Sequence, residues 1–262
     1  EKQLTALGGN ITALEIEGSF DDCQALVKKA FLDRKLSERM NLTSANSINL
    51  SRLVPQSFYY IHSARKIEAG VKPVFVIPSG NFGNLTAGLL ARQLGLPVEK
   101  FVAATNRNDV VPRYLAKGQY DPLPSISTIS NAMDVGAPSN FERIEWLFRG
   151  DPAGLQHSVS GISIGDVETV DCISDVYRHT GYVLDPHSAV AYRAQQRHPG
   201  VGEAPTVVLA TAHPAKFPDV VERAIGRSVE LPEGLAAILD AEEQFAQIDP
   251  TLKALEDFLN DE

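Results

Sequence analysis

The amino-acid sequence predicts an α/β fold with a doubly wound, mostly parallel sheet. Apolar runs typical of buried strands occur at 74–77, 100–104 and 206–212, and segments with helical spacing separate them along the chain. Strands that alternate with helices favour a parallel sheet whose right-handed crossovers place helices on both faces. The carboxyl ends of the strands then meet at one edge, where folds of this class bind ligands.

The composition is that of a globular protein. The chain has 262 residues, of which 44% are hydrophobic and 22% charged, enough for one large or two ordinary domains. A net charge of -9 argues against a nucleic-acid binder, because no surplus of Lys and Arg is present to neutralise phosphates. Cys23 and Cys172 lie too far apart to indicate a disulfide framework or a metal site. The two cysteines fit a reducing cytoplasm, so we expect a cytoplasmic protein. No apolar run approaches the length of a membrane span, so we expect no membrane partner.

The N-terminal segment predicts a strand followed by an amphipathic helix. Residues 11–17 alternate apolar and polar side chains, and residues 21–32 place apolar side chains at helical spacing. The candidate caps of this helix are Ser19, Asp21 and Asp22.

A polar loop at 42–49 then leads into a long helix at 53–68. The helical pattern of this segment runs through Val54, Phe58 and Ile61.

Shorter elements fill the second half of the chain. Helices are predicted at 110–115, 141–148, 166–179, from Asp185 onward, and at 219–225. The segment 125–140 contains too many Ser, Gly and Pro residues for a long regular element. We expect residues 1–70 to form a smaller lobe, 71–230 a larger lobe, and 231–262 an acidic helical tail.

The stretch from Val74 to Leu94 joins a buried strand to a helix through the sequence GNFGN. Gly80 and Gly83 can adopt positive φ angles and let backbone N–H groups converge on one oxyanion. The first turn of the following helix presents free N–H groups and a partial positive charge, which suits phosphate. The glycines alone fit an ordinary tight turn equally well. The sequence is neither a Walker loop nor a dinucleotide fingerprint.

A series of motifs resembles the threonine synthase family and occurs in that family's order. The motifs span Gly8 to about Lys216 and read GGNITALEIEGSFDDCQ, NSINLSRLVPQ, PSGNFGNLTAGLLARQLGLP, TNRNDVVPRYL, SNAMDVGAPSNFER, DPHSAVAY and LATAHPAKF. The resemblance implies the fold type II architecture of pyridoxal-phosphate enzymes, like that of the tryptophan synthase β-subunit. It also implies that the fold is incomplete at the N-terminus.

The resemblance assigns the anion that the glycine loop binds. In that family the corresponding loop holds the phosphate of pyridoxal 5′-phosphate, so the expected cofactor contacts are Gly80, Asn81, Phe82, Gly83 and Asn84. Thr211 matches the family's partner for the cofactor's ring nitrogen, to which a hydroxyl can hydrogen-bond without the protonating influence of a carboxylate. Without the resemblance, ending a strand or capping a helix is a commoner role for a Thr at such a position than binding a cofactor.

Other polar residues are candidates for binding substrate. The run before the helix at 53–68 supplies amides and a guanidinium, which suit a carboxylate or phosphate, at Asn46, Ser47, Asn49 and Arg52. Capping of the helix by Asn49 or Ser51 explains the same run without any ligand.

The expected catalytic lysine is not found in these residues. The family's Schiff-base lysine lies in a Ser-Phe-Lys-Asp motif, and the nearest string here, residues 19–22, has no lysine. We therefore expect the lysine upstream, and we expect this stretch to be inactive by itself. Lys216 is the alternative site for a Schiff base, but its setting predicts a rim cation that holds negative charge, so we list it with the substrate-binding candidates.

The resemblance implies the conversion of O-phospho-L-homoserine and water into L-threonine and phosphate by a pyridoxal-phosphate lyase. One alternative is a serine or threonine dehydratase-like enzyme, which would share the glycine loop and the sheet. The other alternative is a non-catalytic homologue that binds a phosphorylated ligand.

Overall fold

A computed structural model describes residues 2–6, 8–199, 202 and 204–261. The strands are β1 (Ala13–Ile16), β2 (Val74–Pro78), β3 (Lys100–Thr105), β4 (Val159–Ser163), β5 (Thr206–Val208) and β6 (Phe245–Ile248). The helices are α1 (Lys2–Thr5), α2 (Phe20–Leu32), α3 (Arg34–Met40), α4 (Leu53–Ala64), α5 (Gly83–Gln93), α6 (Val110–Lys117), α7 (Phe141–Leu147), α8 (Pro152–Ser158), α9 (Asp166–Thr180), α10 (Pro186–Arg197), α11 (Pro218–Ile225), α12 (Glu233–Ala236) and α13 (Leu252–Asp261). None of the helices in these ranges is both long and apolar enough to cross a membrane.

The chain divides into two compact units. One unit combines Glu1–Thr43 with Glu230–Glu262, and the other is Ser44–Val229. The lobes expected at 1–70, 71–230 and 231–262 stay a prediction. The two compact units have different boundaries from these lobes. Residues 44–70 belong to the larger unit because α4 packs along α5.

The larger unit is built on a four-stranded parallel sheet with the order β4-β3-β2-β5. Val76 of the central strand β2 pairs with Val102 of β3 on one side and with Val208 of β5 on the other. This confirms the predicted parallel α/β fold and the positions of β2 and β3.

Both faces of this sheet are buried, because alternate residues of each strand enter separate cores. Phe75 and Ile77 pack in a cluster with α4, α5 and α7. Val74 and Val76 pack on the opposite face against α10, in a cluster that includes the small side chain of Ala191. Burial on both faces explains the continuous apolar runs of β2 and β3.

The predicted strand at 206–212 is too long. Regular pairing ends at Val208, and Leu209 adds one more hydrogen bond, from its N–H to the Val76 carbonyl at 3.0 Å. β5 is an edge strand whose residues are half-buried. The strand predicted from the apolar run at 206–212 was therefore both too long and too deeply buried.

Two strands were not predicted. β4 has the sequence VSGIS, whose small polar residues give no strand pattern. β6 lies in the segment expected to be a helical tail, so the purely helical interpretation of 231–262 is wrong. β6 pairs in parallel with β1, with Ala13 opposite Phe245.

The helix predicted at 53–68 is α4, which ends four residues earlier at Ala64, and its buried face was not predicted. Val54 and Phe58 are 50% and 61% exposed, whereas Leu53 and Tyr60 are fully buried. The segment has apolar residues on both faces, so periodicity alone could not choose between them. At the start of α2, Ser19 is the cap, with a reciprocal hydrogen bond between its N–H and the Asp22 carboxylate at 2.8 Å.

The contact between α4 and α5 depends on Gly88. A Cβ atom at this position would lie 2.8 Å from ring atoms of both Tyr60 and Phe101. We predict that Gly88→Ala lowers the free energy of unfolding by about 1–3 kcal/mol through overpacking. This loss should exceed the gain of about 1 kcal/mol in helix propensity that Ala brings over Gly.

Urea denaturation measures this change. Gly234→Ala in α12 is the control, because an added Cβ there meets no atom within 4 Å, and it should leave stability unchanged or slightly raised. An unchanged unfolding free energy for Gly88→Ala would show that the helices can separate at no cost.

Candidate functional site

The loop Ser79–Phe82 connects the carboxyl end of β2 to the first turn of α5. Ser79 extends the sheet, since its N–H donates to the Ala104 carbonyl at 2.8 Å. The first bond of α5 runs from Thr86 N–H to the Phe82 carbonyl at 3.0 Å. The N–H groups of Gly83, Asn84 and Leu85 therefore have no acceptor within the helix, and no side chain caps this end. Three N–H donors with the positive end of the helix dipole form a site suited to an anion.

The positive φ angle of this loop lies at an unexpected residue. Neither Gly80 nor Gly83 has a positive φ, so that prediction is wrong; the residue that does is Phe82, with φ 62°. A bulky residue in this region carries backbone strain of about 1–3 kcal/mol. The Phe82 side chain is 3% exposed and belongs to the core formed with α4 and α5. Burial of the ring holds the strained turn at the start of α5.

The two glycines are needed because other chain segments approach them closely. A Cβ atom at Gly80 would lie 2.6 Å from the Met133 Cα, a distance that real Cβ atoms do not reach. At Gly83 it would lie 3.0 Å from the Ser47 Cβ. The loop is thus enclosed by the segment around Met133 on one side and by the segment around Ser47 on the other.

Asn81 joins these segments through its side chain and backbone. Its Nδ2 donates to Ser47 Oγ at 3.1 Å, and its Oδ1 accepts from the Ser139 N–H at 2.6 Å. Its backbone carbonyl accepts from Asn140 Nδ2 at 2.9 Å. The Asn81 side chain was expected to contact a phosphate, but its hydrogen bonds mainly hold the loop in place.

Arg143 completes the attachment of the Ser47 segment. Its guanidinium donates to the Ser47 and Ile48 carbonyls, and to Asn140 Oδ1 at 2.6 Å. Asn140, which is fully buried, also donates to Ser47 Oγ at 3.0 Å. The run Asn131 to Arg143 thus has a physical role, which is to fasten the loop from both sides.

A buried polar cluster fixes the other end of that run. The Asp134 carboxylate accepts from Thr128 Oγ1 at 2.7 Å, from Asn106 Nδ2 at 2.8 Å and from Asn108 Nδ2 at 3.1 Å. Asn106 follows β3 directly, so this cluster ties the segment that contacts Gly80 to the carboxyl end of the sheet.

Tyr60 of α4 holds the first turn of α5 in position through its hydroxyl group. Its hydroxyl donates to the Asn84 side chain at 2.5 Å and lies 3.0 Å from the Asn84 carbonyl. Burial raises the pKa of Tyr60 well above its usual value, so the hydroxyl remains protonated and acts as a donor.

One pocket of about 620 Å³ brings several of the predicted residues together. It is lined by Ser47, Gln56, Tyr59, Gly83, Asn84, Leu209, Ala210 and Thr211. The loop glycine, the helix start and the residue beyond β5 therefore share one cavity. The sequence did not single out Gln56 or Tyr59 as site residues. Gln56 ends the motif NSINLSRLVPQ, but the helical pattern of this segment was followed through its apolar residues.

The other candidates lie outside the lining of this pocket. Phe82 is buried in the core, and Gly80 and Asn81 contact neighbouring segments. Asn49 caps the 3-10 turn at Leu50–Arg52 by accepting from Ser51 N–H at 3.0 Å, as the capping interpretation expects. Asn46 accepts from the Ser47 N–H at 2.6 Å and shapes the same turn. Arg52 and Lys216 are exposed.

His187 and Asp185 form a buried pair that begins α10. The His187 Nδ1 lies 3.0 Å from Asp185 Oδ1, and its Nε2 lies 3.2 Å from the Ala132 N, so the proton sits on Nδ1. Asp185 also accepts from the N–H groups of His187 and Ser188, which is the expected helix start. The pair supports the segment that contacts Gly80.

The anchoring by Arg143 generates a prediction. We predict that Arg143→Lys lowers the free energy of unfolding by about 1.5–3 kcal/mol, because a lysine keeps the charge but cannot reach three acceptors with one planar group. Backbone amides at 44–49 should also exchange faster with solvent. Urea denaturation and hydrogen exchange measure the two effects.

The matched control is Arg65→Lys, a replacement of the same kind at an exposed position just beyond α4. It should change neither measurement. Equal behaviour of the two variants would mean that the Ser47 segment holds its place without Arg143.

Comparison with known proteins agrees with this architecture. The family described as "Pyridoxal-phosphate dependent enzyme" matches residues 1–212, and "Threonine synthase, C-terminal" matches residues 188–259. A threonine synthase of Serratia marcescens is 48% identical over 238 residues, which is 90% of this chain and 55% of that protein.

Solved structures give the same result. The threonine synthase of Escherichia coli superposes with a TM-score of 0.92 at 42% identity, over 100% of this chain and 61% of that one. A structure titled "PLP bound Threonine synthase from Brucella melitensis" has a TM-score of 0.85 at 36% identity, over 99% of this chain and 61% of that one. The chain thus spans between half and two thirds of the length of these relatives. It belongs to the family of pyridoxal-phosphate-dependent enzymes, in which the relatives compared here are threonine synthases.

Proposed function

We propose that this chain forms the cofactor pocket of a cytoplasmic threonine synthase, which converts O-phospho-L-homoserine and water into L-threonine and phosphate. The observation that carries the proposal is the shared pocket of Gly83, Asn84 and Thr211, in a chain similar to threonine synthases over at least 90% of its length.

The residues present fit pyridoxal 5′-phosphate. Its phosphate matches the three N–H groups at the start of α5, which have no acceptor inside the helix. Thr211 lines the same pocket and is exposed, so its hydroxyl can meet the ring nitrogen. Gln56 also lines the pocket, and its buried Oε1 has no hydrogen-bond partner among the described residues.

When bound, pyridoxal phosphate supplies an electron-withdrawing ring that stabilises negative charge on the substrate carbon. The N–H groups at the start of α5 hold the phosphate end, and the loop before them is fixed by the hydrogen bonds of Asn81 and Asn140. Thr211 offers a neutral hydroxyl, which does not hold a proton on the ring nitrogen as a carboxylate would. The chain therefore orients the group and sets how strongly its ring withdraws electrons.

None of the described residues that line the pocket is a lysine. Lys216 is exposed and outside that lining, so we assign it no covalent role. Ser47 is the substrate-binding candidate that lines the pocket. Roles for Asn46, Asn49, Arg52 and Lys216 in binding substrate stay predictions.

The test is a turnover assay in ¹⁸O-labelled water, on the protein that contains this chain, with pyridoxal 5′-phosphate and O-phospho-L-homoserine. We expect equal amounts of L-threonine and phosphate, with the label in the threonine hydroxyl and none gained by the phosphate. Loss of phosphate by carbon–oxygen cleavage and addition of water to the neighbouring carbon require this distribution.

Other outcomes identify other functions. Label in the phosphate together with homoserine would indicate a phosphatase. A 2-oxo acid and ammonia would indicate a dehydratase. Tight binding of pyridoxal 5′-phosphate without turnover would indicate a binding protein. Each of these results contradicts the proposal.

The tight contact at Gly83 generates a further prediction. We predict that Gly83→Val weakens the affinity for pyridoxal 5′-phosphate about five- to a hundred-fold, because the added side chain collides with Ser47 and displaces the anion site, at a cost of about 1–3 kcal/mol.

Gly83→Ala provides a graded comparison, since it adds only the Cβ that lies 3.0 Å from Ser47 Cβ, and it should have a smaller effect. A fluorescence titration with the cofactor measures affinity, and circular dichroism checks the fold. Unchanged affinity in a folded Gly83→Val protein would place the phosphate elsewhere.

A further inference from the structure

The helix α4 contributes two polar side chains to the lining of the pocket. Gln56 and Tyr59 are three residues apart, so they lie on the same face of the helix. Gln56 is half-buried, and its Oε1 is fully buried without a hydrogen-bond partner among the described residues. Its neighbours on the pocket wall include Ser47, Asn84 and Thr211.

An amide oxygen in this position lowers stability unless something donates to it. A buried acceptor without a partner has lost its hydrogen bond to water and gained none within the protein. The described residues supply no donor to this atom. Gln56 lines the pocket, so a rotation of its flexible side chain can bring this oxygen to a donor on a bound ligand.

The required donor lies on the organic part of the ligand. At neutral pH a phosphate presents mainly acceptor oxygens, which an amide oxygen repels. A hydroxyl or an ammonium group supplies the proton that Gln56 Oε1 lacks. Pyridoxal 5′-phosphate carries a ring hydroxyl, and O-phospho-L-homoserine carries an ammonium group.

Tyr59 makes this wall neutral at physiological pH. Burial raises the pKa of Tyr59 to about 12, so its hydroxyl keeps the proton and does not act as a base. The α4 wall thus offers polar groups without charge, which is compatible with an anionic ligand held by the backbone of α5.

We propose that Gln56 is a ligand-binding residue of this pocket, whose Oε1 accepts a hydrogen bond from the hydroxyl or ammonium group of the bound phosphorylated molecule. This inference rests on the proposed function, because it takes the ligand from the reaction proposed above. It assigns a role to a residue that was not among the site candidates predicted from the sequence.

The proposal predicts effects of opposite sign on stability and on affinity. Gln56→Met preserves the length and flexibility of the side chain and removes the amide. Without ligand, its melting temperature should equal or exceed that of the wild type, because an unpartnered buried oxygen has been removed. The affinity for a ligand that donates to Gln56 should fall about five- to thirty-fold.

Gln24 supplies a matched control in α2. It is 6% exposed, and both polar atoms of its amide lack partners among the described residues. It belongs to the other compact unit and does not line the pocket. Gln24→Met should resemble Gln56→Met in ligand-free stability and leave affinity unchanged.

The experiment titrates the protein that contains this chain with pyridoxal 5′-phosphate, and then titrates the cofactor-loaded protein with O-phospho-L-homoserine, for the wild type and both variants. Weaker cofactor binding by Gln56→Met alone identifies the ring hydroxyl as the donor. Weaker binding of O-phospho-L-homoserine alone identifies the ammonium group. Either result supports the inference.

Two results overturn it while leaving the proposed function intact. One is unchanged affinity of Gln56→Met for both molecules. The other is a lower melting temperature of the ligand-free variant, which would show that Gln56 has a structural partner. A wild-type protein containing this chain that binds neither molecule would instead refute the pocket assignment and the inference together.

Discussion

The hydrogen bonds of Asn81 are the interaction on which the site depends. One side chain joins the loop after β2 to Ser47 and Ser139, and its carbonyl receives the amide of Asn140. These partners lie 34, 58 and 59 residues away along the chain, so the loop cannot take its shape until all the segments have assembled. The proposed anion site is consequently a property of the folded unit and not of the glycine loop alone.

The close packing around this loop explains its composition better than backbone freedom does. Gly80 and Gly83 have ordinary φ angles, but neighbouring segments leave no room for a side chain at Gly80 and little at Gly83. The strained φ is carried by Phe82, whose ring is buried in the core. Core packing therefore holds the turn that presents the N–H groups of α5.

The chain can hold a phosphate despite its net charge of -9, because the expected donors are local backbone groups. The pocket is lined by neutral polar and apolar side chains, with Thr211 and Gln56 at its wall. Such a lining suits a ligand whose negative charge binds to backbone N–H groups at one end. Its organic part can then be recognised by individual hydrogen bonds from the wall. The Arg143 guanidinium donates hydrogen bonds to the carbonyls of the Ser47 segment. It therefore fixes the position of the part of the pocket wall that Ser47 forms.

The sequence by itself determined the parallel α/β fold, the strands β2 and β3, and the glycine loop that precedes α5, because continuous apolar runs and glycine spacing are local signals. It also indicated the family through motifs that span most of the chain. Only the tertiary structure decided which face of α4 is buried, that β6 pairs with β1, and that Gln56 lines the pocket with Thr211. These features depend on contacts between residues far apart in the chain, and a short segment with apolar side chains on both faces is compatible with either orientation until its partners are in place.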